Sequence, residues 1–154
     1  MYRNITQLFL GLILLSGCAK KEHDADNAPP LIIVDSFEVW LNLMPGGNPA
    51  LFFTSVVKVE KKAEAMSDSV SIQSVSLFNG GMKAAHFKTI ISDITDDYPD
   101  SVKSNWFIYR LTPEEGYSGF REDVYENYTA HIVLTGKFGS LTIKRTGISI
   151  QKVY

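Results

Sequence analysis

Tyr128-Thr129-Ala130-His131-Ile132-Val133-Leu134-Thr135 alternates without a break, Tyr128, Ala130, Ile132 and Leu134 in one phase and Thr129, His131, Val133 and Thr135 in the other. Successive side chains of an extended chain point to opposite faces, so this period of two predicts a strand with one buried face. Gly136-Lys137-Phe138-Gly139 then supplies a turn, and Leu141 to Val153 reads as one long final strand with Gly147 near its middle.

The same period recurs towards the N-terminus. Leu31 to Leu43 sets Phe37, Val39, Leu41 and Leu43 against Glu38, Trp40 and Asn42, and Met44-Pro45-Gly46-Gly47-Asn48-Pro49 forces a reversal. Leu51 to Glu60 alternates Phe53, Ser55, Val57 and Val59 with Phe52, Thr54, Val56 and Lys58. Val70 and Ile72 share one phase, Val75 and Leu77 the other, and an extra residue near Gln73-Ser74 reconciles them as a β-bulge. Asn79-Gly80-Gly81 is a strong turn signal, and His86 to Ile91 and Asn105 to Leu111 read as further strands. Lys61 to Ser67 is compatible with one helical turn or with a plain connection. About seven or eight short strands within residues 31–154 predict an all-β antiparallel sandwich; a closed barrel is the alternative.

Glu126-Asn127-Tyr128-Thr129-Ala130-His131-Ile132 resembles the tyrosine corner of immunoglobulin-like sandwiches, with Tyr128 as the corner and Ala130 where a disulfide cysteine would otherwise stand. The resemblance implies a hydroxyl bond from Tyr128 to backbone a few residues upstream. It covers seven residues and carries an architecture, not a function.

Composition narrows the classes. Aromatic residues make up 12% of the chain, enough for a real core, and the formal charge is −2. That balance argues against a nucleic-acid ligand, which needs a concentrated basic face, and against a polybasic grip on anionic lipid. Cys18 is the only cysteine, so no disulfide staples the domain.

Ahead of Cys18 stand Arg3, an apolar run from Leu8 to Leu15, and the small residues Ser16 and Gly17. The run falls well short of the roughly 20 helical residues that span a bilayer, and it has the form of an export signal. Leu15-Ser16-Gly17-Cys18 resembles the lipobox of bacterial lipoprotein precursors. The resemblance implies that residues 1–17 are a cleaved signal peptide and that lipid is attached to the thiol and new amino group of Cys18. Residues 18–30, polar and ending in Pro29-Pro30, read as the lipidated cysteine and an extended flexible tether in which His23 is solvated. Ala19, where retained lipoproteins carry Asp, implies transfer to the outer membrane. Lys20-Lys21-Glu22 resembles the charged signal that exports some Bacteroidota lipoproteins to the surface, and equally suits any solvated tether. Asp68-Ser69-Val70 and Asp100-Ser101-Val102 resemble the short O-glycosylation sequence of the same lineage. Asn127-Tyr128-Thr129 is an N-glycosylation sequon whose eukaryotic reading conflicts with the lipobox.

Four groups of residues compete for a site. Asp93, Asp96, Asp97 and Asp100 crowd one segment and could offer oxygens to calcium, although the spacing is not that of an EF-hand; a solvated loop explains them equally. His86 and His131 sit singly in strands, and Met44, Met66 and Met82 fall in separate connections, so no transition-metal cluster is expected. Gly116-Tyr117-Ser118-Gly119-Phe120 lacks the last glycine and the strand-to-helix setting of a nucleophile elbow, and adjacent Glu114-Glu115 point apart. Trp40, Trp106, Tyr117 and Phe120 lie off the apolar stripes or in loops and suit partner contact, with at least one tryptophan expected to fill an end of the core. The expectation is a non-catalytic, membrane-anchored envelope module with a protein or glycan partner. A calcium- or metal-binding periplasmic domain comes second and a small enzyme third.

Overall fold

The computed structural model describes residues 30–61, 70–121, 123–136 and 138–154, so Cys18, the signal segment, the tether up to Pro29, Met66 and most of Lys61–Ser67 lie outside the described residues. Among the described residues nine strands form two sheets. They are β1 (Ile32–Asn42), β2 (Ala50–Glu60), β3 (Ser71–Asn79), β4 (Met82–Phe87), β5 (Thr89–Asp93), β6 (Trp106–Pro113), β7 (Tyr128–Gly136), β8 (Gly139–Ile148) and β9 (Ile150–Val153). Sheet A has the order β5-β6-β2-β1-β9 and sheet B the order β4-β3-β7-β8. The molecule is an all-β sandwich of two separate sheets, not a closed barrel.

β7 carries the reading that its sequence predicts. Tyr128, Ala130, Ile132 and Leu134 are all fully buried, and their alternates lie on the outer face. Across the interior Phe53 of sheet A stacks on Phe37 at 5.5 Å and meets Phe87 of sheet B at 5.0 Å, tilted by 59°. Leu51, Val57, Val75, Leu77 and Leu111 close around this centre, each contributing about 1.5–3 kcal/mol by leaving water. The bulge falls where the phase change requires it. Ile72 pairs Leu134 and Ser74 pairs Val133, leaving Gln73 as the extra residue.

Three expectations are corrected. His86 to Ile91 is not one strand: β4 ends at Phe87 and β5 begins at Thr89, with Lys88 crossing from sheet B to sheet A. Leu141 to Val153 is likewise divided. β8 pairs with β7 as far as Ile148, and β9 resumes at Ile150 beside β1. Gly147, at φ 71°, stands in the irregular stretch where β8 holds one more residue than β7, a conformation that suits a residue without a Cβ. The β1–β9 pair is parallel, so the sandwich is not wholly antiparallel.

The acidic stretch is also more than a loop. It forms a 3-10 turn at Thr95–Asp97 and a helical turn, α1 (Asp100–Lys103). Ile94 and Thr95 are buried, and so is Ile108, whose place in β6 belongs to the phase pointing away from the core. The stretch therefore covers the outer side of β6 in a small second apolar layer. Its backbone is tied there by Ile94 N–H donating to the Ile108 carbonyl at 2.9 Å and Ile108 N–H donating to Thr95 Oγ1 at 2.9 Å.

Candidate functional site

The four aspartates do not converge. Asp93 Oδ1 accepts the Thr95 N–H at 2.8 Å and Asp100 Oδ1 pairs with Lys103 at 2.9 Å, while Asp96 and Asp97 are exposed. Among the described residues no group of three or more His, Cys, Asp or Glu side chains is placed to hold a metal ion. The carboxylates serve the turn, capping a backbone amide and a neighbouring lysine, and the residue that fastens the segment is Thr95.

The aromatic candidates divide. Neither tryptophan enters the core, contrary to expectation: both are half-buried on the outer face of sheet A. Trp40 stands opposite Phe52 on the neighbouring strand and stacks on it, centroids 6.0 Å apart and planes within 14°. Gly116 backs onto this pair so closely that a Cβ there would fall 2.5 Å from Phe52 Cζ, so the glycine lets the connection after β6 pass against the ring. Trp106 is at the far end of the face, opposite Glu60. Tyr117 is half-buried, bridges Leu51 through paired backbone bonds of 2.9 and 3.0 Å, and meets Phe87 edge-on. Phe120 corrects the sequence reading: it is buried, tilted against Tyr125 and Tyr128 at 6.2 Å each, and belongs to the core.

Tyr128 is fully buried, and its hydroxyl donates to the Val124 carbonyl at 2.7 Å, four residues upstream. Asn127 before it has φ 62°, a left-handed conformation that asparagine tolerates better than most residues.

Among the described residues two concavities bear on the candidate groups. A recess of about 470 Å³ lies between the end of β4 and the connection after β6, reached by His86, Lys88, Glu115, Tyr117 and Ser118. Here His86 Nδ1 is already within 2.9 Å of Ser76 Oγ. The 114–119 segment lies in a connection between strands, and among the described residues no helix follows Ser118, so the strand-to-helix setting of a nucleophile elbow is not built there.

The second concavity lies on the outer face of sheet B. The register puts His86, Ser76, His131 and Lys144 in one row across all four strands. Phe78 and Thr129 form the adjoining row, Phe78 packing on the His131 ring at 4.3 Å. Between them is a groove of about 440 Å³ lined by Phe78, Thr129, His131, Lys144 and Thr146, with the Gly80-Gly81 turn at one end. Burial, and secondarily the Lys144 cation, hold the His131 imidazole below its ordinary pKa, so it is neutral at neutral pH. No sequence signal marks this row, because it exists only once four separated strands are in register.

Among the described residues no helix is long and apolar enough to cross a membrane. No family model, no curated protein and no solved structure matches this chain.

Proposed function

We propose that the protein is an outer-membrane lipoprotein, held at the bilayer by acyl chains on Cys18, whose sandwich is a non-catalytic binding or assembly module for another envelope protein. The observation that carries this reading is the Trp40–Phe52 pair. Two large rings stack on the outside of a sheet whose core is already filled by Phe53, Phe87 and Tyr128, so their burial is incomplete without a partner. Tryptophan at a rigid strand position is the residue type that concentrates binding energy in protein interfaces. The lipobox-like Leu15-Ser16-Gly17-Cys18 supplies the address, since two or more acyl chains give stable anchoring where one does not.

On the same reading the sandwich is immunoglobulin-like. Supporting this are the order β5-β6-β2-β1 facing β4-β3-β7-β8, in which that fold lays out its strands, and the Tyr128 hydroxyl bond.

Two experiments test the proposal. Cys18→Ser should abolish palmitate labelling and release the protein from the membrane fraction; a variant that still labels refutes the anchor. A photo-crosslinking side chain at position 40 should capture one envelope protein that the same group at position 142, on the opposite sheet, does not. Identical adducts from both positions would refute the docking face.

A further inference from the structure

We infer that the outer face of sheet B is a saccharide-binding face whose groove between Phe78, His131 and Lys144 takes a sugar bearing a carboxylate. This site is on the sheet opposite Trp40, goes beyond the docking role proposed for that residue, and stands or falls separately from it.

Charge is the first argument. The chain as a whole is slightly acidic, yet none of the four strands of sheet B contains an aspartate or glutamate, and the strands carry Lys83, Lys144 and Arg145. The carboxylates are held in sheet A and in the connections, so an acidic protein presents one face free of negative charge. Lys144 makes no ion pair among the described residues, which leaves its ammonium group for a ligand anion. Lys144 is the cation that lines the groove, with Lys83 opposite Phe78 on the neighbouring strand, and a compact ammonium of this kind matches one carboxylate and not a polyphosphate chain.

The other groups on the face are those that hold sugar hydroxyls. Thr129 and Thr146 line the groove, and Ser74, Thr142 and Ser140 continue the hydroxyl face along β3 and β8. His131, kept uncharged by its surroundings, has a donor and an acceptor nitrogen, and so can bridge vicinal hydroxyls without repelling Lys144. The packed rings of Phe78 and His131 give an apolar wall for the C–H face of a pyranose. At about 440 Å³ the groove is within the usual range of small-ligand clefts, roughly 300–1,000 Å³. Arg145 is in register with core-facing Ala130 yet exposed on the edge strand β8. An inward-phase charge of this kind discourages strand addition at that edge, so the face itself is left for recognition.

The test uses the chain from Ala19 onward, which keeps every described residue. Oligogalacturonate, a hyaluronan fragment and N-acetylneuraminic acid are titrated separately while amide signals are followed by NMR. At least one should shift Phe78, Thr129, His131, Lys144 and Thr146 together. Lys144→Ala should weaken that ligand roughly tenfold, as should methyl esterification of the ligand, because each removes one charge-assisted contact; Lys144→Arg should largely restore binding. Lys144 is exposed, so its loss leaves the fold intact. If none of the three sugars shifts these signals, the site is refuted. It is equally refuted if the esterified and free acids bind alike, or if acetate or inorganic phosphate binds as tightly as the sugar, which would mark a simple anion contact.

Discussion

Replacing Thr95 by valine tests how the acidic segment is held. Valine keeps the shape and exchanges the hydroxyl for a methyl, so the change is confined to two hydrogen bonds: Ile108 N–H to Thr95 Oγ1 at 2.9 Å, and Thr95 Oγ1 to the Ile108 carbonyl at 3.4 Å. Ile108 is fully buried and Thr95 nearly so, so water does not replace the lost acceptor. Leaving a buried amide unpaired costs about 1–3 kcal/mol, and the added methyl returns up to about 0.8 kcal/mol. The net loss is about 0.2–2 kcal/mol, which for a domain of this size lowers Tm by roughly 1–8 °C. Thr95→Ser keeps the acceptor and should lose less. Thermal melts of the three proteins read the stability, and amide exchange at Ile108 reads the mechanism, since that proton should exchange faster in the valine variant alone. If Thr95→Val melts with the wild type and the Ile108 amide stays protected, the segment is not pinned by this hydroxyl.

Other outcomes follow from the same structure. Tyr128→Phe should lower stability by about 1 kcal/mol through loss of the bond to the Val124 carbonyl, checked by urea melts with an unchanged slope. At the preceding residue, φ 62° makes Asn127→Val cost roughly 1–2 kcal/mol while Asn127→Gly is tolerated; equal melts of the two would refute the role of the backbone. Calcium and EDTA should leave Tm unchanged, because Asp93 and Asp100 are engaged elsewhere and Asp96 and Asp97 diverge from them; a rise with calcium would show a site that binds the native state. His131 titrates below its ordinary value in the fold, so the unfolded chain takes up its proton first. Its contribution is present above about pH 6.5 and is lost as pH falls from there through the lowered folded value. The stability lost between neutral and mildly acidic pH should therefore be smaller in His131→Gln than in the wild type.

The parts of the fold legible in the sequence are those where one strand has one buried face. β7 and β2 announce themselves by period two, and Gln73 is found because a bulge is the only way to keep Ile72 and Val75 both inside. The sheet changes at Lys88 and Ser149 leave no such mark. Both sheets turn their inner faces to the same core, so a chain passing from one to the other keeps its alternation: Ile148 and Ile150 are both buried although they belong to different sheets. Period two reports which side of a strand is inside and is silent on which sheet the strand has joined. The parallel β1–β9 pair was hidden for the same reason.

A second kind of information was hidden by distance along the chain. Ile108 reads as an exposed position because its phase points outward, and only the arrival of Ile94 and Thr95 buries it. Phe120 lies in a connection without period, and its burial is decided by Tyr125 and Tyr128 closing over it. The groove on sheet B is the extreme case. Lys144, His131, Ser76 and His86 are each unremarkable in sequence, and they meet because three antiparallel registers align them in one row. The lack of carboxylates in β3, β4, β7 and β8 stands in the sequence as two acid-free runs, 69–92 and 127–154, but they lie far apart along the chain and average away in the net charge. Pairing β3 with β7 joins the two runs into a single face. The Trp40–Phe52 pair, by contrast, needs only the β1–β2 hairpin register, so the phase of one strand marks Trp40 as outward-facing, whereas no single strand marks the row on the opposite sheet.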